Sequence, residues 1–233
     1  MVITGLTAER LAARRTALEE FASPGTEVRF VVTPEGPASV ESEAELELAA
    51  PGILAAVVEA SQAGADAIVI WGGHDPSLRA ARELVDVPVI GPGMASMLLI
   101  CSLVRRFSLL VQLPNVCAIA ERQVQELGLG SRCASILSVG VPVLDLGDAS
   151  ALPAMQQAAL HALDEDGADG VCFGCMAMTP HAEPLRRWLA ELRPGAVVVN
   201  PGRAAIRWAE MLVDMGHSHS RRSYPRPPKR VAL

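Results

Sequence analysis

Short, unbroken hydrophobic runs alternate along the chain with longer stretches in which apolar residues recur at helical spacing. Residues 67–70 (AIVI) form a continuous apolar run, as expected for a strand buried on both faces. The run is followed by Gly72-Gly73-His74-Asp75-Pro76 and then by a helical pattern over 77–84. The Asp75-Pro76 step reads as the start of that helix, with Asp as N-cap and Pro at the first helical position. Residues 88–90 predict the next strand, and a Gly-Pro-Gly turn leads into a helix over 95–106. Further strands are predicted over 107–112, 134–139 and 170–173, and helices over 118–127, 152–164 and 204–215. Strand then helix, repeated, is the mark of an α/β protein with mainly parallel sheets.

An internal repeat organises this pattern. Gly64-Ala65-Asp66 recurs as Gly167-Ala168-Asp169, and at the same offset Gly72 aligns with Cys175. Both positions lie just past a buried run and just before a helix. Val89-Ile90-Gly91-Pro92-Gly93-Met94-Ala95 has its counterpart in Val198-Val199-Asn200-Pro201-Gly202-Arg203-Ala204, at a slightly longer offset, as a loop insertion produces. The expected architecture is two similar α/β domains with parallel sheets related by pseudo-two-fold symmetry. Residues 1–96 plus 205–233 make the first and 97–204 the second. Ligands of open α/β sheets bind beyond the carboxyl ends of the strands. The turns at Gly72 and Cys175 are therefore expected to face each other across one cleft, which suits chemistry on both faces of a carbon atom.

Composition narrows the partners. Half of the 233 residues are hydrophobic and only 20% are charged, which supports a sizeable core, and the net charge of -6 argues against nucleic acid. With 3% aromatics, that core must be built from Ala, Val, Leu and Ile. No charge-free apolar run reaches the roughly 18 residues of a membrane helix, and the start MVITGLTAERLAARR lacks the pattern of a secretory signal. Five cysteines, an odd number, read as reduced thiols, so a cytoplasmic protein is expected. Cys172 and Cys175 are spaced like a redox or zinc pair. A zinc site lacks a second pair, and Cys172 falls inside the apolar strand, so Cys172 reads as core, as do Cys101 and Cys133. Cys117 reads as structural, His181 as a surface residue, and no metal site is expected from His217 and His219. The basic tail residues Arg221, Arg222, Arg226, Lys229 and Arg230 read as a solvated tail or an oligomer contact. Trp71 either lines the pocket or turns into the core.

GADAIVIWGGHDPSLRAAREL resembles the first active-site segment of the aspartate/glutamate/hydantoin racemase superfamily, and GADGVCFGCMAM resembles its second. RCASILSVGVPVLDL and GHSHSRRSYPRP are similar to the hydantoin racemase branch. The resemblance implies a cofactor-independent racemase acting on amino acids or their hydantoin derivatives, with a small-molecule substrate and a homo-oligomeric state. It also implies two cysteines flanking the substrate's α-carbon, one removing a proton and the other delivering one. Cys175 matches the second. An α-proton is a weak acid, so the base must be activated and the developing enolate needs donors. A thiol at a helix N-terminus is activated in this way. The backbone N–H groups of Met176 and Ala177 are placed to bind a carboxylate or enolate oxygen. Gly72, Gly73 and Gly174 complete the expected substrate-binding set.

The chain departs from the pattern at Gly72, where the first cysteine is expected. Two-thiol racemisation then lacks one partner. The arylmalonate decarboxylase branch also has Gly there and a single protonating Cys, which leaves a lyase open. A catalytically impaired binding homologue is a third reading. His74, with an ordinary pKa of about 6.5, either replaces the missing thiol, oriented by Asp75, or is a turn histidine capping the next helix. The stretch around Ser42 and Glu43 reads as a loop before a helix, which either closes over the substrate or simply places Ser42 as the helix cap. Finally, the resemblance implies an opening core strand that ends in an Asn-Pro turn, and Val2-Ile3-Thr4 is expected to fall short of that whole strand, so either the start is truncated or another segment fills the place.

Overall fold

In the computed structural model the structure describes residues 1–3, 11, 15–16, 18–33 and 35–229. Eight short strands among them make two parallel sheets. The first contains β1 (Val2–Ile3), β2 (Val31–Val32), β3 (Ile68–Val69) and β4 (Val89–Ile90). The pairs β1–β2 and β3–β4 are joined by a parallel bridge between Val2 and Ile70, which orders the strands β2-β1-β3-β4. The second sheet contains β5 (Phe107–Val111), β6 (Cys133–Ser138), β7 (Gly170–Phe173) and β8 (Val197–Val199), ordered β6-β5-β7-β8. Chain order and strand order therefore match between the two halves. At the start of the chain Val2 and Ile3 form the short strand β1, and Thr4 lies outside the described residues.

The helices cover these sheets, as parallel strands require. They are α1 (Glu43–Gln62), α2 (Leu78–Leu84), α3 (Pro92–Leu103), α4 (Cys117–Glu126), α5 (Leu152–Asp164), α6 (Ala182–Leu192) and α7 (Pro201–Asp214). Two of them cross over. α3 follows the first sheet but packs on β7 and β8, whereas α7 follows the second sheet and packs on β3 and β4. The two also pack on each other. Both begin at the proline of the repeated Pro-Gly step, three residues earlier than their hydrophobic pattern suggests, because proline's fixed φ suits the first helical position. A core shared between the two sheets results, beside one further core in each half. It joins Val69 and Ile90 of the first sheet to Phe107, Cys172 and Val199 of the second. Each fully buried large side chain there contributes about 1.5–3 kcal/mol relative to its exposed state.

The basic tail does not dangle in solvent. Arg221 donates to the carbonyls of Arg82 (3.0 Å), Glu83 (3.1 Å) and Val85 at the end of α2 and pairs with Asp86, as Arg226 also does. Cations at a helix C-terminus satisfy its orphan carbonyls and complement its dipole. Arg230 lies outside the described residues. Beneath the strap, the buried Arg82 donates to Val89 O (3.1 Å) and Tyr224 Oη (3.0 Å) and stacks over the Tyr224 ring. His219 packs edge-on against that ring and accepts from the Val89 N–H at 2.7 Å. Burial, helped by Arg82 and Arg221, holds the His219 imidazole down at about 4. Its folded pKa thus lies below the ordinary value, so its contribution to stability is present above about pH 6.5 and is lost as pH falls towards 4. Melting temperatures at pH 7 and pH 5 check this: the fall should be smaller in His219→Gln than in the wild type.

Candidate active site

β3 runs out into a turn held by its own backbone, with Gly72 N–H donating to Ile70 O (2.8 Å) and Asp75 N–H to Gly72 O (3.0 Å). Asp75 and Ser77 adopt left-handed backbone angles, φ 53° and 57°, which cost energy in non-glycine residues. α2 begins only at Leu78, with Ser77 as its N-cap. Asp75 therefore does not cap α2 as expected. Its carboxylate instead reaches the N-terminus of α3, accepting from the Gly93 N–H (2.8 Å) and the Met94 N–H (2.6 Å), and Gln123 Nε2 from α4 adds a third hydrogen bond (2.8 Å). Burial pushes this carboxyl up to about 7, against the three hydrogen bonds that hold it down. A side chain at Gly91 would collide with Asp75, and one at Gly93 would collide with the Gly73 carbonyl and Gln123 Nε2, so the Gly-Pro-Gly step is what lets the carboxylate and its amide partner seat there.

β7 runs out in the same way into Gly174 and Cys175. Cys175 is the N-cap of a 3₁₀ helix, Met176–His181, that precedes α6. Gly174 donates to Leu110 O (2.8 Å), and a Cβ on it would stand 2.8 Å from Val111 Cγ1. The two turns meet in backbone contact. A Cβ on Gly73 would collide with the Gly174 carbonyl and reach within 2.8 Å of the Cys175 nitrogen. Gly73, Gly174 and Cys175 are thus brought together, and Met176 and Ala177, next in the chain, are buried. The Cys175 residue itself is only 7% exposed.

His74 lies half-buried one residue beyond this contact, and its two ring nitrogens are buried without a hydrogen-bond partner in the protein. Burial lowers its pKa to about 4, with Glu43 opposing and Arg122 adding to the shift. The imidazole is therefore neutral at pH 7. Asp75 does not orient it, because both carboxylate oxygens are committed to α3 and Gln123. Nor does it cap α2, which has no side-chain cap. Beside it, Arg122 of α4 pairs with Glu43 through two hydrogen bonds of 2.6 and 3.1 Å. Ser42 caps α1 by accepting from the Glu45 N–H, and Glu43 opens that helix. The preceding residues reach the second half: Glu41 accepts from Val143 N (2.6 Å), and its carbonyl accepts from Asn115 Nδ2 (2.6 Å).

Buried polar atoms without protein partners also occur at Gln112 Oε1, directly after β5, and at Thr179 Oγ1, in the 3₁₀ helix. Neither was expected from sequence, although a lone Gln at the end of a buried strand is a usable signal. Other expectations resolve away from the site. His181 is buried, its Nε2 2.7 Å from Leu146 O, because it ends the 3₁₀ helix inside the second core. Trp71 lies against Gly202 of α7, so it packs on the core. Cys172 is fully buried in β7 and forms no disulfide, and burial raises its thiol well above the ordinary range. Among the described residues, no group of three or more His, Cys, Asp or Glu is placed to hold a metal ion, and no helix is long and apolar enough to cross a membrane.

Two parallel sheets of the same strand order, with a buried cysteine and a glycine turn touching at their carboxyl ends, define an α/β protein with a small-molecule site. Its family follows from comparison. Residues 7–209 match the family described as Asp/Glu/Hydantoin racemase, and the chain belongs to that family. It is 32% identical over 219 residues to a hydantoin racemase of Pseudomonas sp. (strain NS671), covering 92% of this chain and 85% of that protein. A hydantoin racemase of Paenarthrobacter aurescens is 32% identical over 221 residues, 93% of this chain and 92% of that one. The structure of allantoin racemase from Klebsiella pneumoniae superposes with a TM-score of 0.90 at 32% identity, covering 100% of this chain and 94% of that one.

Proposed function

We propose that this protein is a cofactor-independent racemase-type isomerase that moves the α-proton of a 5-substituted hydantoin, with Cys175 as its acid and base. The observation that carries the reading is the placement of Cys175 at a strand end, buried against the turn of the other sheet. As thiolate, Cys175 accepts the α-proton; as thiol, it returns one. The electron pair passes to the adjacent carbonyl oxygen, for which the first backbone N–H groups of the 3₁₀ helix, Met176 and Ala177, are the proposed donors. Gly72, Gly73 and Gly174 keep the floor of the site free of side chains. The division into 1–96 plus 205–233 and 97–204 is part of the same reading, supported by the exchange of α3 and α7 between the sheets.

A hydantoin fits better than a free amino acid. A carboxylate calls for a cation, yet the two arginines whose fields reach the turn are engaged, Arg122 with Glu43 and Arg82 with Val89 O and Tyr224. The neutral His74, with one ring nitrogen to donate and one to accept, suits the alternating N–H and C=O groups of a cyclic ureide. As the second catalytic group it is a weak one, because it is rarely protonated at pH 7.

The test is incubation in D₂O with each enantiomer of a 5-substituted hydantoin, following α-proton loss by NMR and inversion by chiral chromatography. One enantiomer should exchange faster than it inverts. The ratio of inversion to exchange should rise about tenfold per unit as pH falls from 8 to 6, since the protonated fraction of a group titrating near 4 rises by that factor. Absence of exchange by the folded protein would overturn the hydantoin assignment. CO₂ release from a malonate-type acid would then mark a lyase, and binding without turnover a non-catalytic homologue.

A further inference from the structure

We infer that Gln123 is a positioning residue for this reaction: from α4 it holds the 72–75 turn in the place that sets Gly73 and His74 against Cys175. The inference rests on the racemase reading above. One amide nitrogen does two things, donating to Asp75 Oδ2 at 2.8 Å and to the Gly73 carbonyl at 3.2 Å. The rest of the carboxylate is used on the N-terminus of α3. Gly91 packs closely on Asp75, and Gly93 packs on Gly73 O and Gln123 Nε2, so a side chain at either would push into this cluster. Gly73 in turn abuts the Gly174 carbonyl. A displacement of the Gly73 peptide is therefore passed directly to the backbone of Cys175, through atoms already in contact.

Gln123 Oε1 is buried and has no protein partner, so the amide contributes to this cluster only as a donor. That makes Gln123→Met a clean deletion of similar length. Gln123→Glu is the informative companion. Protonated, its carboxyl can donate to Asp75 as the amide does; ionised, it sets two carboxylates side by side. The other charged or titratable groups facing this point are Arg82 from α2, His74 in the same turn, Cys175 at the end of β7, and Arg122 with its partner Glu43.

The experiment measures exchange kinetics in D₂O, melting curves, and alkylation of Cys175 by iodoacetamide mapped by mass spectrometry, with Cys101 and Cys117 as internal references. Gln123→Met should lower kcat about tenfold or more with KM little changed, as misplacement of a reacting group does, and should raise the Cys175 alkylation rate several-fold. Gln123→Glu should keep most of its exchange at pH 6 and lose it by pH 8, a fall the wild type does not share. If Gln123→Met does not fold, the pH profile of Gln123→Glu decides. If the wild type exchanges no hydantoin, the racemase reading falls, and the alkylation ratio alone decides the role of Gln123. Wild-type kcat and alkylation in Gln123→Met, or a wild-type pH profile in Gln123→Glu, would overturn it.

Discussion

Cys175→Ala is expected to reduce α-proton exchange by about 10²–10⁴-fold, the range a positioned acid–base group supplies, while the protein stays folded. Alanine removes one sulfur from a small, mostly buried site and disturbs no strand pairing, since β7 ends at Phe173. The other thiols cannot substitute. Burial raises Cys101, Cys117 and Cys172 above the ordinary range and Cys133 to about 11, so none is an effective base near neutrality. Cys101 and Cys117 lie in α3 and α4, and Cys133 and Cys172 within strands. Alanine at any of these four should leave exchange within a few-fold of wild type. The NMR exchange rate of each variant, beside its melting curve, checks the set. Exchange in Cys175→Ala within tenfold of wild type would remove the thiol from the mechanism.

What could be read from the chain was local and periodic. The apolar run before Gly72 and the one before Cys175 each become a buried parallel strand, and the Pro-Gly steps become the starts of α3 and α7. What escaped depends on partners far apart in sequence. Asp75-Pro76 satisfies the local rule for a helix start, yet the carboxylate caps α3 because the left-handed turn aims it at the two α3 N–H groups and Gln123. Nothing in the sequence around Gln123 or Arg122 marks them, since they matter only through Asp75, Gly73 and Glu43. β1 and β2, two residues each, are too short to show a period. The tail's charge and proline content read as a solvated tail or an oligomer contact, but Arg221 finds the carbonyl end of α2.

Gly72→Cys, the substitution that would restore the thiol the family resemblance places there, is expected not to restore racemisation on its own. The backbone at Gly72 is not among the left-handed residues, so a side chain is tolerated conformationally. Space is what prevents it. A Cβ at this position stands 2.6 Å from Pro76 Cδ and 2.8 Å from Pro76 Cγ. A proline ring cannot rotate away, and the turn cannot simply recede, because Asp75 ties it to α3 and Gln123 while Gly73 rests on Gly174. Overpacking of this kind costs about 1–3 kcal/mol, so Gly72→Cys should melt several degrees lower and show no gain in inversion. Removing the ring changes the outcome. Gly72→Cys combined with Pro76→Ala leaves the sulfur room on the face opposite Cys175 and should recover most of the lost stability. Its ratio of inversion to exchange at pH 7 should rise about tenfold or more above wild type, because a thiol titrating near 8.5 supplies the proton that a histidine near 4 rarely carries. Wild-type melting together with efficient inversion in the single variant would show that Pro76 does not keep the second thiol out. Failure of the double variant to invert, though folded, would place the second proton source elsewhere than at position 72.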